Sequence, residues 1–166
     1  MHWVRRVMTA LVFALGLVGS IATSGPAADV SGISDEKSVA LNADHPGESF
    51  QARARLTAPG ATTTEGEVGL NVVVEGSADA SLIYTLRSET TGEESSGDIV
   101  DTQAQGSARI GIAAFQGCSE ACIDDFTIEF ARSDINLEGD LVVNFNLDAL
   151  ASTEAEASGE IELSIQ

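Results

Sequence analysis

The chain has 166 residues, with 26 acidic residues against 8 lysines and arginines, and its formal net charge at neutral pH is −18. Phosphate groups and anionic lipid surfaces repel such a chain, and the sequence has no basic stripe, so nucleic acid is excluded as a partner. The length suffices for one domain with its own hydrophobic core.

The N-terminal segment, residues 1–22, has the composition of a cleavable export signal. Every acidic residue lies from Asp29 onward, whereas Arg5 and Arg6 precede a short apolar run that ends in small residues at Ala22. A membrane anchor is the alternative, but the apolar run is shorter than the roughly 20 residues that cross a bilayer. We therefore expect cleavage after Ala22, a secreted or periplasmic protein, and no membrane span in the mature chain.

The mature chain is dominated by alternation of apolar and polar residues with a period of two, which is typical of half-buried β-strands. Residues 23–36 precede the first alternating segment and are predicted to be flexible, and residues 37–166 are predicted to form a single domain. About eight strands are expected, near residues 37–42, 48–57, 66–75, 80–88, 107–116, 124–132, 139–149 and 159–165.

Each predicted strand has one apolar and one polar face. In the seventh, Phe145 and Leu147 lie on the apolar face, and Asn146 and Asp148 lie on the polar face. This pattern favours antiparallel sheets packed through one core over the continuous apolar runs of a parallel sheet. The predicted fold is an all-β antiparallel sandwich, immunoglobulin-like or jelly-roll-like, and the alternative is a small closed β-barrel.

Strand register offers a first hypothesis about a binding surface. If apolar residues pair only with apolar residues, the third and fourth strands form a hairpin with Val72 opposite Tyr84 and Val73 beside Ile83. Val73 and Ile83 would then be neighbours on the outer face, and Val142 is a third outward β-branched residue. We predict a small docking patch from these three residues, the alternative being scattered surface residues of no function.

The same reasoning links the two cysteines of the chain. The fifth and sixth strands are predicted to form a hairpin about Glu120, which places Cys118 opposite Cys122. Directly opposed residues of antiparallel strands have Cα atoms about 4.5 to 5.5 Å apart, within the range of a disulfide. Export supplies an oxidising compartment, so a structural Cys118–Cys122 disulfide is predicted. A redox-active pair and a metal site are the less favoured alternatives, because the spacing is not Cys-x-x-Cys and no histidine lies nearby.

Two connections are longer than a hairpin requires. Residues 89–106 are polar and acidic around Ile99 and Val100, and they form either a mobile loop or a short edge strand. Residues 150–158 form either one helical turn or a solvated spacer.

Catalytic chemistry is poorly supported by the sequence. His45 is the only histidine after the signal segment, and a Ser49, His45 and Asp44 triad would need adjacent residues to adopt an unfavourable geometry. No Gly-x-Ser-x-Gly motif occurs. We therefore assign no catalytic residue, and a small secreted hydrolase that uses carboxylates remains the alternative.

Calcium is the one cofactor for which the sequence offers candidates. Ca²⁺ binds six to eight oxygen atoms, and loops of a β-sandwich can bring carboxylates together. The candidate ligands flank two neighbouring connections and are Asp124, Asp125, Asp134 and Asp140.

Taken together, these patterns predict an exported, acidic, non-enzymatic binding or structural module with an unknown protein or cell-envelope partner. The alternatives are the carboxylate hydrolase and a calcium-stabilised adhesion or assembly module. Two convergent acids in a cleft would favour the hydrolase, and a flat face with exposed Val73 and Ile83 would favour the binding module.

Overall fold

The computed structural model describes residues 28–57, 64–76, 80–100, 105–115, 121–133, 139–153 and 159–166. The predicted export signal lies outside these ranges. The described residues contain ten β-strands, and no helix among them is long and apolar enough to cross a membrane. The strands are β1 (Ala28–Ile33), β2 (Lys37–Leu41), β3 (Gly47–Thr57), β4 (Thr64–Glu75), β5 (Ser81–Ser88), β6 (Glu94–Val100), β7 (Gln105–Phe115), β8 (Cys122–Arg132), β9 (Leu141–Thr153) and β10 (Glu160–Ile165).

Eight of these strands correspond to the predicted ones, and two are additional. β1 lies in the segment 23–36 that was predicted to be flexible, so that prediction is wrong for Ala28–Ile33. These residues are ordered by a tertiary partner, since each of them pairs with a residue of β9. β6 lies in the connection 89–106 and confirms the edge-strand alternative. β9 continues to Thr153, so residues 150–153 of the connection 150–158 are strand, and residues 154–158 lie outside the described ranges.

The strands form two antiparallel sheets packed as a β-sandwich. Sheet A has the order β1-β9-β4-β7, with β2 also paired to β9, and sheet B has the order β10-β3-β8-β5-β6. The pairings are nested along the chain: β2 with β9, β3 with β8, β4 with β7 and β5 with β6. A long antiparallel hairpin wrapped into two sheets in this way is a jelly roll, so the strand order selects the jelly-roll alternative.

Both predicted hairpins are wrong. β4 lies in sheet A and β5 in sheet B, and likewise β7 lies in sheet A and β8 in sheet B. Val72 and Tyr84 are both buried in the core, but they come from opposite sheets. Alternation shows which face of a strand is apolar, and a hairpin and an arch between two sheets bury the same residues.

The core lies between the sheets and is filled by the apolar faces of the strands. Phe145 and Leu147 are buried as predicted, and the neighbouring positions of β9 point outward. Phe145 of sheet A packs between Phe50 and Phe130 of sheet B, with ring centroids 4.9 Å and 4.8 Å away. Tilted aromatic contacts at such distances add to the free energy of hydrophobic burial.

β1 and β2 pair with the same edge of β9, and Ser34 continues the hydrogen bonding to β9 in the gap between them. Its backbone N–H donates to the carbonyl of Leu147 at 2.9 Å, and its Oγ accepts a hydrogen bond from the N–H of Leu147 at 2.7 Å. Both residues are buried. The hydroxyl therefore replaces a missing carbonyl in the ladder, so that the buried amide of Leu147 keeps a partner.

Tyr84 and Arg132 connect the two sheets. The Tyr84 hydroxyl donates to the carbonyl of Ser107 on β7 at 3.2 Å. The guanidinium of Arg132, at the end of β8, donates to the carbonyl of Leu41 at 3.2 Å and to that of Gly139 at 2.7 Å. Because Arg132 is buried, these hydrogen bonds help to compensate for the desolvation of its charge.

Candidate functional site

The outer face of sheet A carries a polar network centred on Asp148. Arg109 donates through Nη1 to Asp148 Oδ2 at 3.1 Å and through Nη2 to Oδ1 at 3.4 Å. The same Nη1 donates to Glu67 Oε1 at 3.0 Å. Asn71 donates through Nδ2 to Asp148 Oδ1 at 2.7 Å and to Asn146 Oδ1 at 2.9 Å. One cation and one amide thus satisfy the acidic groups across three strands.

Gly69 makes this network sterically feasible. It lies directly between Arg109 of β7 and Asp148 of β9 in a single row of the sheet. A Cβ atom on Gly69 would lie 2.6 Å from Asp148 Oδ1 and 2.8 Å from Arg109 Nη1. Without a side chain at this position, the arginine extends across β4 to reach the carboxylate.

The outer face of sheet B carries two cross-strand ion pairs. Arg53 contacts Asp125 through Nε and Oδ1 at 2.6 Å, and Arg55 contacts Glu162 through Nη1 and Oε2 at 3.3 Å. The hydrogen bond from Arg53, supported by its charge and opposed by desolvation, lowers the pKa of Asp125. The same hydrogen bond and the charge of Asp125 raise the pKa of Arg53. This carboxylate is therefore held ionised as one half of an ion pair.

A shallow cleft of about 440 Å³ opens beside the Arg53–Asp125 pair. Within it, Thr127 donates through Oγ1 to Glu89 Oε1 at 2.6 Å, and Gln51 donates through Nε2 to Thr127 Oγ1 at 3.2 Å. Both of its carboxylates, Glu89 and Asp125, already accept hydrogen bonds from neighbouring side chains. The cleft offers amide, hydroxyl and charged groups to a polar ligand. The residues that line it are Gln51, Ala52, Arg53, Glu89, Asp125, Thr127 and Gln166.

The predicted docking patch is not formed as one surface. Val73 and Ile83 are 38% and 43% exposed, but β4 and β5 belong to different sheets, so the predicted contact between them is wrong. Val73 instead lies diagonal to Val142, which is partly buried, on sheet A. Ile83 lies diagonal to Val100, which is 41% exposed, on sheet B.

Sequence reasoning missed Val100 as a surface residue beside Ile83, because it did not decide that β6 was a strand. The signal that could have identified this strand was the apolar pair Ile99 and Val100 within an otherwise polar segment. One residue of this pair is buried and the next is exposed, which is the alternation of an edge strand.

The described calcium candidates do not share a site. Asp124 and Asp125 lie within β8, where consecutive side chains point to opposite faces, so Asp124 is buried in the core and Asp125 faces outward toward Arg53. Asp140 is exposed and accepts a hydrogen bond from Asn42 Nδ2 at 3.3 Å. Asp134 lies outside the described residues. Among the residues that the structure describes, no group of three or more His, Cys, Asp or Glu side chains could hold a metal ion.

Asp124 is instead a buried carboxyl group within the sandwich. Ser88 donates through Oγ to Asp124 Oδ1 at 3.0 Å and to Oδ2 at 3.2 Å, and both residues are fully buried. The backbone N–H of Thr91 donates in turn to Ser88 Oγ at 3.1 Å. The sequence signal for this feature is an aspartate on the inward side of an alternating strand. The sequence analysis instead assigned Asp124 to the candidate calcium ligands beside a connection.

Of the two cysteines, Cys122 lies in the described part of the chain. Cys122 begins β8 and packs against the core, while Cys118 lies outside the described residues, so the disulfide stays a prediction. The hairpin register that supported it does not occur, because β7 and β8 are in different sheets.

His45 lies in an exposed turn in which Asn42 Oδ1 accepts hydrogen bonds from the backbone N–H groups of Asp44 and His45, each at 3.0 Å. This arrangement is an Asx turn, and it gives Asn42 a structural role in the turn that contains His45.

Comparison with known proteins adds only a distant likeness in shape. No protein-family model matches the chain, and no curated protein matches it. Among solved structures, it is similar to a chain of infectious bursal disease virus strain Gx, with 10% sequence identity and a TM-score of 0.36 over 95% of this chain and 44% of the viral chain. It is also similar to the VP2 subviral particle of infectious bursal disease virus, with 10% identity and a TM-score of 0.33 over 93% of this chain and 44% of that one. The chain spans less than half the length of either viral chain, and at this level of similarity neither informs its function.

Proposed function

We propose that the protein is an exported, non-enzymatic binding or structural module of the extracellular or periplasmic space, with a cleaved signal at residues 1–22 and a Cys118–Cys122 disulfide. The observation that carries this proposal is the pairing of carboxylates in the cleft of sheet B. Asp125 is held by Arg53 and Glu89 by Thr127, so neither is poised as a general acid or base.

The cleft is proposed as the binding site. Most of its polar groups come from the adjacent strands β3 and β8, which are hydrogen-bonded to each other, and a preorganised surface loses little entropy on binding. Because the chain has a net charge of −18, a neutral polar or a cationic partner on the cell envelope is favoured electrostatically over an anionic one.

The proposal is tested by sedimenting the mature protein, from Thr23 onward, with cell envelopes isolated from its own host. The cleft variant Gln51→Ala with Thr127→Ala is expected to lose most of the sedimented fraction. The matched control, Thr85→Ala with Ser96→Ala, removes a similar cross-strand hydrogen bond on the same sheet outside the cleft and is expected to bind normally.

Two outcomes would contradict the proposal. Equal loss of binding in both double variants would mean that the cleft is not the site. Release of soluble saccharide or peptide from the envelopes, abolished by Glu89→Gln, would support the carboxylate hydrolase instead.

A further inference from the structure

Two large apolar side chains are exposed side by side on the outer face of sheet A. Leu150 of β9 is 48% exposed, and Ile33 of β1 is 71% exposed. Ile33 pairs with Asp148, two residues before Leu150, so the two apolar residues are diagonal neighbours on the same face. An exposed apolar patch bordered by polar residues is typical of an interaction surface.

A shallow depression of about 400 Å³ lies beside Leu150 on this face. Leu150 of β9, Glu67 of β4 and Gly111 of β7 form one row of the sheet there. Gly111 has no side chain, and the carboxylate of Glu67 is held 3.0 Å from Arg109, which belongs to the next row. The row is therefore low beside Leu150, and a side chain of a partner can enter it. The residues that line the depression are Asp29, Gly66, Glu67, Gly111, Leu150 and Ser152.

A carboxylate borders this depression at each end. Asp29 lines it on β1, and Glu93, which precedes β6, reaches over to Gly111 on β7. Glu93 Oε1 accepts a hydrogen bond of 3.5 Å from the backbone N–H of Gly111, and Oε2 would lie 3.6 Å from a Cβ at that glycine. Neither Asp29 nor Glu93 has an ion-pair partner among the residues that the structure describes. Both carboxylates are available to a cation.

The spacing of these groups specifies the shape of a partner. β1 and β7 are separated by β9 and β4, so they lie about 14 Å apart across the sheet at about 4.8 Å per strand. In an extended peptide, residues i and i+4 lie on one face about 13 Å apart. A peptide that crosses the strands can place a cation at each carboxylate and the side chain of residue i+2 above Leu150.

We propose that this depression binds a basic peptide segment of a partner protein, with a lysine or arginine at positions i and i+4 and an apolar residue at position i+2. The cations pair with Asp29 and Glu93, and the apolar residue covers Leu150 and Ile33, which removes apolar surface from water. The net charge of −18 attracts a basic segment from a distance. This site lies on the sheet opposite the cleft of sheet B and does not depend on the function proposed above.

The test measures binding of the mature chain, from Thr23 onward, to the peptide Ser-Lys-Ser-Leu-Ser-Lys-Ser, acetylated and labelled with a fluorophore at its C-terminus. Fluorescence anisotropy is expected to show saturable binding, and NMR titration is expected to shift the amide signals of Gly66, Gly111 and Ser152. Serine in place of the peptide leucine is expected to weaken binding about tenfold. Glutamine in place of both lysines is expected to weaken it severalfold.

A matched pair of variants tests the apolar contact. Leu150→Thr is expected to weaken binding of the peptide about tenfold, because it removes the apolar surface beside the depression. Ile83→Thr removes an apolar side chain of similar exposure from the outer face of sheet B and is expected to leave binding unchanged.

A second matched pair tests the charges. Asp29→Asn with Glu93→Gln is expected to weaken binding severalfold. Glu94→Gln with Asp98→Asn removes two exposed acids from β6 of sheet B and changes the net charge equally, and it is expected to bind normally. Thermal melts establish that all of these variants fold.

Four outcomes would overturn the proposal. The first is the absence of saturable binding, and the second is equal weakening by the two acid double variants, which would mean attraction by net charge alone. The third is a set of peptide-induced NMR shifts confined to the cleft of sheet B. The fourth is a dimer of the mature chain that Leu150→Thr dissociates, since a second copy would then cover the patch. The sedimentation of Gln51→Ala with Thr127→Ala is measured separately, so failure of one proposal leaves the other standing.

Discussion

Arg109 and Asp148 form a two-pronged ion pair that joins β7 to β9 across the intervening strand β4. The pair exists because Gly69, between them in the same row of the sheet, has no side chain. The ion pairs on the outer face of sheet A therefore depend on a glycine in the middle of β4.

Gly69→Ala is expected to abolish the coupling between these two residues. In a double-mutant cycle with Arg109→Gln and Asp148→Asn, we expect a coupling free energy of about 0.2 to 1 kcal/mol, the usual range for exposed pairs. In the Gly69→Ala background the coupling is expected to vanish, because the new Cβ occupies the path of the guanidinium. Urea unfolding measures each variant, and an unchanged coupling would contradict the steric role of Gly69.

Gly106→Ala is expected to lower the free energy of unfolding by about 1 to 3 kcal/mol, as overpacking of a core does. A Cβ at Gly106 would lie 2.6 Å from the hydroxyl and 2.8 Å from Cζ of the buried Tyr84 ring, which is fixed by its bond to Ser107. Gly111→Ala on the same strand is the control, because among the described atoms a Cβ there meets only Glu93 Oε2, at 3.6 Å. Equal stability of the two variants in denaturant titrations would exclude this account of Tyr84.

Ser88→Ala is expected to destabilise the fold by about 1 to 3 kcal/mol, because it removes the hydrogen-bond donor of a fully buried carboxyl group. Ser96→Ala, which removes an exposed hydroxyl paired with Thr85, is the matched control and is expected to cost much less. Chemical denaturation of both variants decides the point. A loss no larger for Ser88→Ala than for Ser96→Ala would refute it.

The Arg53–Asp125 pair predicts a specific pH dependence. The pKa of Asp125 is lower in the folded chain than in the unfolded chain, so the pair stabilises the fold above the unfolded pKa and this contribution disappears as pH falls through the folded pKa. Arg53→Gln is expected to remove this contribution, with its largest effect near neutral pH and convergence with the parent at pH values below the folded pKa of Asp125. Unfolding free energies measured from pH 7 downward test the sign, and an NMR titration of the Asp125 carboxyl that gives an ordinary pKa would contradict the cause.

The predicted disulfide can be tested without reference to the sheet register. Mass spectrometry of the mature chain, alkylated under denaturing conditions without reductant, is expected to show no modified cysteine. The paired variant Cys118→Ser with Cys122→Ser is expected to lose about 2 kcal/mol of stability, as the loop-entropy model gives for so short a ring. Two alkylated cysteines in the exported protein would show that the prediction is wrong.

The candidate site was only partly accessible from the sequence. Alternation identified the outward residues Val73 and Ile83, and both face away from the core. It did not identify their neighbours, because the partner of an outward residue depends on which strand lies beside it. Ile83 meets Val100 and Asp125 meets Arg53 through pairings of strands that are distant in the chain.

The positions of eight strands, the faces of those strands and the all-β class were determined by the local sequence, since hydrophobic periodicity is a property of consecutive residues. Phe145 and Leu147 are buried for that reason whatever strand pairs with them. Only the tertiary structure decided that β4 and β5 lie in different sheets, that Ala28–Ile33 is a strand and that Asp124 is buried beside Ser88. These features depend on which distant backbone supplies the hydrogen bonds, and period-two alternation satisfies a neighbouring hairpin and an arch between sheets equally well.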